Sequence, residues 1–434
     1  MHHACRSKAC PLVGLAPIAL FGALLLGPTG AARAQQQTNV PPGQDDLQPY
    51  ELLQARFDRR GLQEPITDGP WTFRPQLQID WGFNDNIFAQ PTGEQSDFFF
   101  DLGARLSTTY RQDNLSGQLD LTFLDHEFVT LRSQDYWEGN ARATLRDSWD
   151  QDLSGFLIGG VQRLAVPRTD PNPIDGLTPA TYLLYDTEAG VTIGSPERNL
   201  INLQVGVDRS VYDTVLGALG PIDTRERNRT EVFGDFRYDH YFFGRQEWFA
   251  EFRPNTRVYD QSVNSAGFND SSTGGRLDSG MVFDVNTLFL VTVSGGYQRQ
   301  EYLDRRYGAI GEPDAIVDVL WSPTQLTQVE AKYTHEYFED INFDSPGYIR
   351  NQALFQLQHE LRRNFVVTGQ LIDDYRDLAQ SNRRYDLIDA TGKAEYRFPT
   401  GFVLALSFDR QSLSSTTTFH FTDDITLLSL KKDF

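Results

Sequence analysis

The sequence predicts an all-β protein, a transmembrane antiparallel up-and-down β-barrel of about 18 strands, with 16 as the alternative. Apolar or aromatic side chains stand at nearly every odd position of residues 71–83: Trp71, Phe73, Leu77, Ile79, Trp81 and Phe83. A period of two gives a strand one apolar and one polar face. This period returns roughly eighteen times, and short turns alternate with longer connections, which is the asymmetry of outer-membrane barrels.

Residues 1–34 are typical of a secretory signal peptide. They combine a basic start, an apolar core over residues 12–26 and the small-residue cleavage sequence Ala32-Arg33-Ala34. We therefore expect the mature chain to begin at Gln35. The apolar core is too short for a lasting anchor, and no later stretch approaches the roughly 20 apolar residues that a spanning helix needs.

The composition excludes several classes of protein. Both cysteines, Cys5 and Cys10, lie in the predicted signal peptide, so the mature chain has no thiol chemistry, disulfide or cysteine metal site. A formal charge of −20 disfavours nucleic acid as a partner, and 30 Phe, 18 Tyr and 6 Trp are too many aromatic residues for a disordered chain. A mean hydropathy of −0.44 is compatible with a barrel, because a water-filled barrel has a polar inner face.

Residues 35–68 are predicted to form a short periplasmic segment ahead of the barrel, which takes up residues 69–434. Within this segment Pro49–Arg60 predicts one short helix, with Leu53 and Phe57 among its contact residues. The segment is too short for a folded plug domain. A TonB-dependent transporter is therefore disfavoured.

Beyond residue 69, about eight short turns and nine longer connections alternate, so both ends of the barrel lie on the short-turn side. The short turns run from Arg111–Asn114 to Pro399–Gly401, and the longer connections run from Asp85–Asp97 to Arg410–Thr416. The connection Leu164–Thr181 contains four prolines. We expect a stiff loop that either folds inward as a constriction or projects into solvent.

Following the period through each strand separates charged from apolar side chains. Leu203 and Phe355 belong to the outward apolar sets, because a charge directed at hydrocarbon would cost on the order of 2–4 kcal/mol near the membrane midplane. The charged face must therefore line a wet interior. The candidate lumen-lining residues are Asp101, Arg105, Arg142, Arg146, Glu188, Asp235, Arg237, Arg276, Asp278, Glu330, Lys332 and Glu395.

On this assignment, inward carboxylates outnumber Arg and Lys side chains roughly two to one, which predicts an acidic lumen that favours cations or neutral solutes. Arg105, Arg142 and Arg276 are candidates to face acids such as Asp101 and Asp278 across the bore. Such an arrangement would create a transverse field at a constriction. Cross-strand ion pairs along the wall are the alternative interpretation.

The tryptophans are predicted to form two aromatic girdles, because amphipathic rings prefer the membrane–water interface. The predicted topology places Trp71, Trp149, Trp248 and Trp321 beside periplasmic strand ends and Trp81 and Trp137 near outer ends. Phe434 ends an apolar alternating strand that resembles the signal read by the outer-membrane assembly machinery. Lys432 departs from the aromatic or apolar residue usual at its position.

The first predicted hairpin carries a family resemblance. It contains Phe73-Arg74-Pro75-Gln76-Leu77, then Phe83-Asn84-Asp85-Asn86-Ile87-Phe88-Ala89, then Ser96-Asp97-Phe98. These strings resemble the first hairpin of the putative beta-barrel porin type 2 family of Gram-negative bacteria. The resemblance implies an outer-membrane pore without a well-defined substrate, often associated with exopolysaccharide or capsule loci, and it carries over no catalytic residue. Asn84-Asp85-Asn86 either binds a cation or forms a turn, the commoner role of such clusters.

Enzymatic chemistry is not predicted. Of the histidines in the mature chain, His240, His335 and His359 face outward near strand ends, His126 lies in a loop, and His420 lies near the start of the last strand. No spacing predicts a nucleophile within hydrogen-bond distance of a base, and no hydrolase, metalloprotease or phosphate-binding motif occurs. We expect no catalytic residue, cofactor or metal.

Three functions fit these predictions. The first is a porin-like channel for small polar or saccharide solutes in the outer membrane of a Gram-negative bacterium. The second is an exopolysaccharide export conduit, in which Phe99, Tyr136, Tyr182 and Tyr212 on the inner face would stack on sugar rings. The third is a non-conducting barrel that acts as an adhesin or scaffold. Expected partners are outer-membrane lipid, lipopolysaccharide, the barrel-assembly machinery and, for the second function, polysaccharide export components.

Overall fold

The computed structural model describes residues 53–59, 64–170, 174, 176–195, 198–242, 246–285, 288–339, 345–416 and 419–434. The predicted signal peptide and residues 35–52 lie outside the described residues. The described residues form helix α1 (Leu53–Arg59) and short 3-10 helices at Arg132–Gln134 and Arg225–Arg227. Their strands are β1 (Ile66–Asp68), β2 (Trp71–Asn84), β3 (Asp97–Gln112), β4 (Leu115–Phe128), β5 (Tyr136–Asp150), β6 (Leu153–Ala165), β7 (Thr181–Ser195), β8 (Asn199–Tyr212), β9 (Val215–Gly217), β10 (Gly220–Ile222), β11 (Arg229–Phe242), β12 (Gln246–Tyr259), β13 (Ser272–Val285), β14 (Phe289–Tyr302), β15 (Ala309–Thr324), β16 (Thr327–Phe338), β17 (Tyr348–Arg362), β18 (Phe365–Leu378), β19 (Arg384–Arg397), β20 (Phe402–Ser415) and β21 (Phe421–Asp433).

Strands β2 to β8 and β11 to β21 form a closed antiparallel barrel of 18 strands in chain order. The cylinder closes where β2 pairs with β21, with Leu77 opposite Lys432 and Asn84 opposite Ile425. Strand β1 pairs with the start of β2, and β9 and β10 form a separate hairpin in the connection between β8 and β11. The prediction of an up-and-down barrel of about 18 strands is confirmed, and closure leaves no barrel edge unpaired.

Short turns collect at one end of the barrel and longer loops at the other. The turn between β3 and β4 is Asp113–Asn114, where Asp113 adopts a positive φ of 52°. The turn between β15 and β16 is Gln325–Leu326. We call the two ends of the cylinder the turn end and the loop end.

Exposure alternates residue by residue along the strands. In β8, Asn202 and Gln204 are 8 % and 6 % exposed, whereas Leu203 and Val205 on the other face are 40 % and 58 % exposed. The exposed face is apolar, and the buried face points into the cylinder. Among the described residues, no helix has the length and hydrophobicity required for a transmembrane span.

Two segments enter the cylinder, and each packs against a cluster of buried apolar side chains. At the loop end, the connection between β2 and β3 packs against strands β17 to β21. At the turn end, helix α1 buries Leu53 and Phe57 against Val366 of β18. The predicted helix at Pro49–Arg60 corresponds to α1 within the described residues.

Candidate functional site

The candidate lumen-lining residues all lie in barrel strands, on the face opposite the exposed apolar side chains. Six of them are buried: Asp101, Glu188, Asp235, Arg237, Asp278 and Glu395. The other six, Arg105, Arg142, Arg146, Arg276, Glu330 and Lys332, are partly buried. Burial of charge at this density requires that the groups pair with one another or with water.

Most of the inner arginines make their ion pairs along the wall. Arg237 is 4 % exposed, and its guanidinium lies 2.5 Å from Asp239 on its own strand and 2.7 Å from Glu247 on the next. Arg105 lies 3.6 Å from Asp120 on the adjacent strand. These contacts agree with the alternative interpretation, in which the ion pairs run along the wall, and they do not bridge the bore.

Arg276 makes a longer-range contact. Its guanidinium lies 2.5 Å from Asp278 on the same strand and 3.2 Å from Asp314 on β15. It also lies 3.2 Å from Glu336 on β16, three strands away. This network links the inner faces of β13 to β16.

Beside this network lies a cavity of about 190 Å³, large enough for several water molecules or one small polyol. It lies inside the cylinder against β7, β8, β11 to β14 and β16, opposite the wall that the β2–β3 connection covers. The polar and aromatic residues around it include Gln204, Asp208, Ser210, Arg229, Glu231, Asp235, Arg253, Asn255, Arg257, Arg276, Gln298, Glu336, Glu339, Tyr182 and Tyr212.

Three acceptors beside the cavity are themselves buried and lack donors within the described part of the chain. One buried carboxylate oxygen each of Asp208 and Asp235, and the side-chain oxygen of Asn255, have no hydrogen-bond partner among the described residues. The Arg229 guanidinium donates to the Tyr259 hydroxyl at 3.2 Å. Other polar side chains line the cavity, among them Ser210, Arg229 and Gln298, and hydroxyl groups, which both donate and accept, could bond to such groups.

Asp208, Arg229, Asn255 and Arg257 were absent from the predicted site residues. Their positions in the two-residue period place them on the inner face, so that signal was available in the sequence. Only the register of the strands brings them together: Asp208 stands opposite Glu231, and Glu231 stands opposite Arg257.

The connection between β2 and β3, residues 85–96, narrows the other half of the bore, and we call it the inner loop. Its Ile87 packs on the inner wall against Phe99, Phe128 and Ile425. Ala89, with a positive φ of 49°, is 1 % exposed. Ala89 belongs to a cluster with Tyr348, Leu378, Tyr385, Leu387, Leu413 and Phe421.

Asn84-Asp85-Asn86 forms the turn that sends the inner loop inward. The Asn86 amide nitrogen donates to the carbonyls of Gln90 at 2.9 Å and Thr422 at 2.8 Å. Asp85 accepts a hydrogen bond from the Asp424 backbone N–H at 2.7 Å. The string therefore acts as a turn within the described structure, where no group of three or more His, Cys, Asp or Glu could hold a metal ion.

The proline-containing connection between β6 and β7 packs against its neighbouring loops. Ile174 and Ala180 cluster with Val215 of β9. The Arg168 guanidinium donates to the carbonyls of Gly176 at 2.8 Å and Thr178 at 3.1 Å, which braces this loop. The inner loop, which sequence reasoning did not single out as a constriction, projects into the bore, and the Arg168 guanidinium lies 5.7 Å from the ring centroid of its Phe88.

His126 corrects a prediction. It lies in β4 and not in a loop, because the hairpin of β3 and β4 continues through it and His126 pairs with Asp101. Its ring faces the lumen, contacts the Asp101 carboxylate and stacks on Tyr136 at 4.8 Å between centroids. These contacts pack the imidazole into the inner wall.

The outer face carries the predicted aromatic and terminal residues. The six tryptophans, Trp71, Trp81, Trp137, Trp149, Trp248 and Trp321, are 38–55 % exposed. The ammonium of Lys432 lies 4.7 Å from the ring of Phe402 and 5.6 Å from that of Phe434. These cation–π contacts give a physical reason for a lysine in an otherwise apolar terminal strand.

Comparison with known proteins gives one family match and a set of similar folds. The family model described as putative beta-barrel porin 2 matches residues 64–434. OccK2 (OpdF) from Pseudomonas aeruginosa is 10 % identical, with a TM-score of 0.50 over 86 % of this chain and 100 % of that chain.

Two further solved structures have lower TM-scores. P. aeruginosa OpdK, solved with vanillate, has a TM-score of 0.47 at 10 % identity over 83 % of this chain and 99 % of that chain. OccAB3 from Acinetobacter baumannii has a TM-score of 0.45 at 10 % identity over 85 % of this chain and 100 % of that chain. At these identities the likeness concerns the fold alone. The sequence matches no curated protein significantly.

Proposed function

The chain belongs to the putative beta-barrel porin 2 family, and from this premise we propose that it forms an outer-membrane channel for small polar solutes, including saccharides. One observation carries the proposal. The closed 18-strand cylinder has a charged inner wall and holds a polar cavity inside its bore. Barrels of 16–18 strands are wide enough to enclose an aqueous path.

The charge of the inner wall supports a preference for cations and neutral solutes. Carboxylates predominate among the buried charged groups of the barrel strands, and rings of Asp and Glu raise the local cation concentration. The buried carboxylates include Asp80, Asp101, Asp186, Glu188, Asp235, Asp239, Glu247, Glu251, Asp278, Asp314, Glu360, Asp374, Asp389, Glu395, Asp423 and Asp433, whereas the buried guanidiniums are Arg237, Arg350, Arg376 and Arg397.

The cavity supports a saccharide among the solutes. Tyr182 and Tyr212 provide aromatic surface, and polar lining side chains such as Ser210, Arg229 and Gln298 could exchange hydrogen bonds with solute hydroxyls. A site that combines ring faces with a few convergent polar groups is a usual arrangement for small-molecule recognition.

The decisive experiment is a planar-bilayer recording of the purified, refolded protein across a salt gradient. We expect discrete conductance steps and a reversal potential on the cation-selective side. Uptake of a neutral monosaccharide into proteoliposomes, compared with protein-free liposomes, tests passage of the uncharged solute.

A folded barrel without current would contradict the channel and favour the adhesin or scaffold function. Anion selectivity would contradict the acidic bore and leave the channel intact. Export of a polymer in the source bacterium, lost on deletion, would favour the conduit.

We further propose that the outer apolar face contacts outer-membrane lipid and lipopolysaccharide of a Gram-negative bacterium. We also propose that β21 and the Phe434 that follows it engage the barrel-assembly machinery.

A further inference from the structure

Helix α1 lies inside the turn end of the barrel, which is the periplasmic mouth under the proposed function. Leu53 and Phe57 are 3 % and 1 % exposed and pack on Val366, which is 1 % exposed. Val366 points inward from β18, where the next inner-face residues are the polar Thr368 and Gln370. Helix α1 therefore shields Val366, an apolar side chain that would otherwise face a polar bore.

Polar contacts hold α1 to the wall at its first turn. The Leu53 backbone N–H donates to the side-chain oxygen of Gln328 on β16 at 3.1 Å. The Arg56 guanidinium lies 3.5 Å from the Glu360 carboxylate on β17 and donates to the carbonyl of Gln325 in the β15–β16 turn. Each wall partner belongs to a strand or turn at the periplasmic mouth.

An ion pair holds the other end of the helix. The Arg397 guanidinium donates to the Asp58 carboxylate at 2.9 Å and to Asp433, near the end of β21, at 2.9 Å. The same guanidinium lies 5.3 Å from the ring centroid of Phe57. Together the contacts attach α1 to four consecutive strands, β16 to β19, and Arg397 in turn links β19 to β21.

The helix depends on this wall for its own structure. It has 7 residues, and isolated helices shorter than about 12–15 residues are marginal in water. Detachment from the wall would therefore also unfold the helix. While attached, a helix about 10–12 Å across with its side chains takes up a considerable share of the mouth.

We propose that α1 is a releasable constriction of the periplasmic mouth, so that its attachment to β16–β19 sets the conductance of the bore. This goes beyond the proposed function, because it assigns a gating element to a channel whose solute is a separate question. The barrel wall itself does not depend on α1, since all 18 strands are joined to one another by their own hydrogen bonds.

Two variants test the proposal in opposite directions. Asp58→Lys places an ammonium beside Arg397 without altering the barrel, and we expect the conductance to rise about twofold because a helix about 10 Å wide leaves the mouth. Phe57→Cys with Val366→Cys, in a mature chain that lacks other cysteines, should form a disulfide that holds conductance at the low level until reductant is added. Glu64→Lys makes the same charge change at an exposed position beyond α1 and should leave conductance unchanged.

A labelling measurement tests the attachment of α1 independently of conductance. The thiol of Val366→Cys should react slowly with a water-soluble maleimide, and much faster when combined with Asp58→Lys. Equal, rapid labelling in both backgrounds, or equal conductance of wild type, Asp58→Lys and the oxidised double-cysteine variant, would overturn the constriction. If no variant conducts, the channel function is wrong, and the constriction of a conducting bore is overturned with it.

Discussion

Tyr182 and Tyr212 stack on each other inside the barrel, with ring centroids 4.8 Å apart and ring planes inclined by 17°. They stand directly opposite each other on β7 and β8, and both line the inner cavity. The pair therefore presents a fixed aromatic surface beside the charged groups of β11 to β13.

Tyr212→Ala should weaken binding of a neutral monosaccharide, measured as sugar-induced block of ion current. Aromatic contacts are worth about 0.5–1.5 kcal/mol beyond area burial, so we expect about threefold to tenfold weaker block. Tyr238→Ala is the matched control, because Tyr238 lies on the outer face and is 37 % exposed. Equal effects of the two substitutions would show that the cavity is not where sugar binds.

Phe355→Arg should impair membrane insertion, since Phe355 is 51 % exposed on the outer face of β17. An arginine near the midplane would cost on the order of 2–4 kcal/mol. Its neighbour Gln356 points inward and accepts a hydrogen bond from Gln370 at 2.9 Å, so Gln356→Arg should insert almost normally. Heat-modifiable mobility on gels and urea unfolding in vesicles measure both variants. If Gln356→Arg were less stable than Phe355→Arg, the outer and inner faces of β17 would be assigned the wrong way round.

Asp208→Asn should reduce cation selectivity more than Asp278→Asn. One Asp208 oxygen has no hydrogen-bond partner among the described residues, whereas the carboxylate of Asp278 lies 2.5 Å from the Arg276 guanidinium. Asp208 makes no ion pair among the described residues, and at about pH 8 or above, where both groups are ionised, the carboxylate without an ion-pair partner contributes more to the field in the bore. Reversal potentials in a salt gradient measure the difference. A larger shift for Asp278→Asn would contradict this ranking.

Asn86→Ala should release the inner loop and leave the barrel intact. The substitution removes the two hydrogen bonds that the Asn86 amide donates to main-chain carbonyls and the one that its oxygen accepts from the Gln90 backbone N–H, each worth about 1 kcal/mol. We expect faster proteolysis within residues 85–96 and a higher conductance. Gln90→Ala is the control, because Gln90 is exposed and bonds to Asn86 through its backbone N–H and carbonyl. An unchanged cleavage rate for Asn86→Ala would count against this role of Asn86.

The loop between β12 and β13 should loosen as pH rises. Burial raises the pKa of Asp270 from its ordinary 3.8 to about 6, against the opposing hydrogen bond from Asn264. Because the folded loop binds this proton more tightly than the unfolded loop does, the stabilisation is complete below the ordinary pKa and is lost as pH rises through about 6. Amide hydrogen exchange of residues 260–271, corrected for intrinsic rates, should show this step, and Asp270→Asn should abolish it. A flat profile in the wild type would refute it.

The strand count and the two faces of the wall followed from local periodicity. Alternation such as that of Leu203 and Gln204 needs only the pleat of one strand to predict which side is apolar. The same reasoning placed the end of β4 before His126. A strand can continue beyond the membrane, however, wherever its hairpin partner continues to pair. Asp101 supplies that partner, and no property of residues 124–135 alone reveals it.

Periodicity does not predict which segments lie inside the bore. Ala89 packs against Leu413 and Phe421, more than three hundred positions later in the chain, and Asp58 meets Arg397 at a similar separation. Residues 85–96 and 53–59 carry no repeating pattern that distinguishes a segment inside a cylinder from one outside it. Register between strands likewise decides that Asp208, Glu231 and Arg257 adjoin.

By itself, the sequence therefore determined the barrel wall: its strands, its turns and its apolar face. Each of these depends on neighbours one or two residues away. The tertiary structure alone decided what lies within the wall, namely the inner loop, helix α1 and the polar cavity. Those features depend on which distant side chains closure brings face to face, and closure is a property of all 18 strands together.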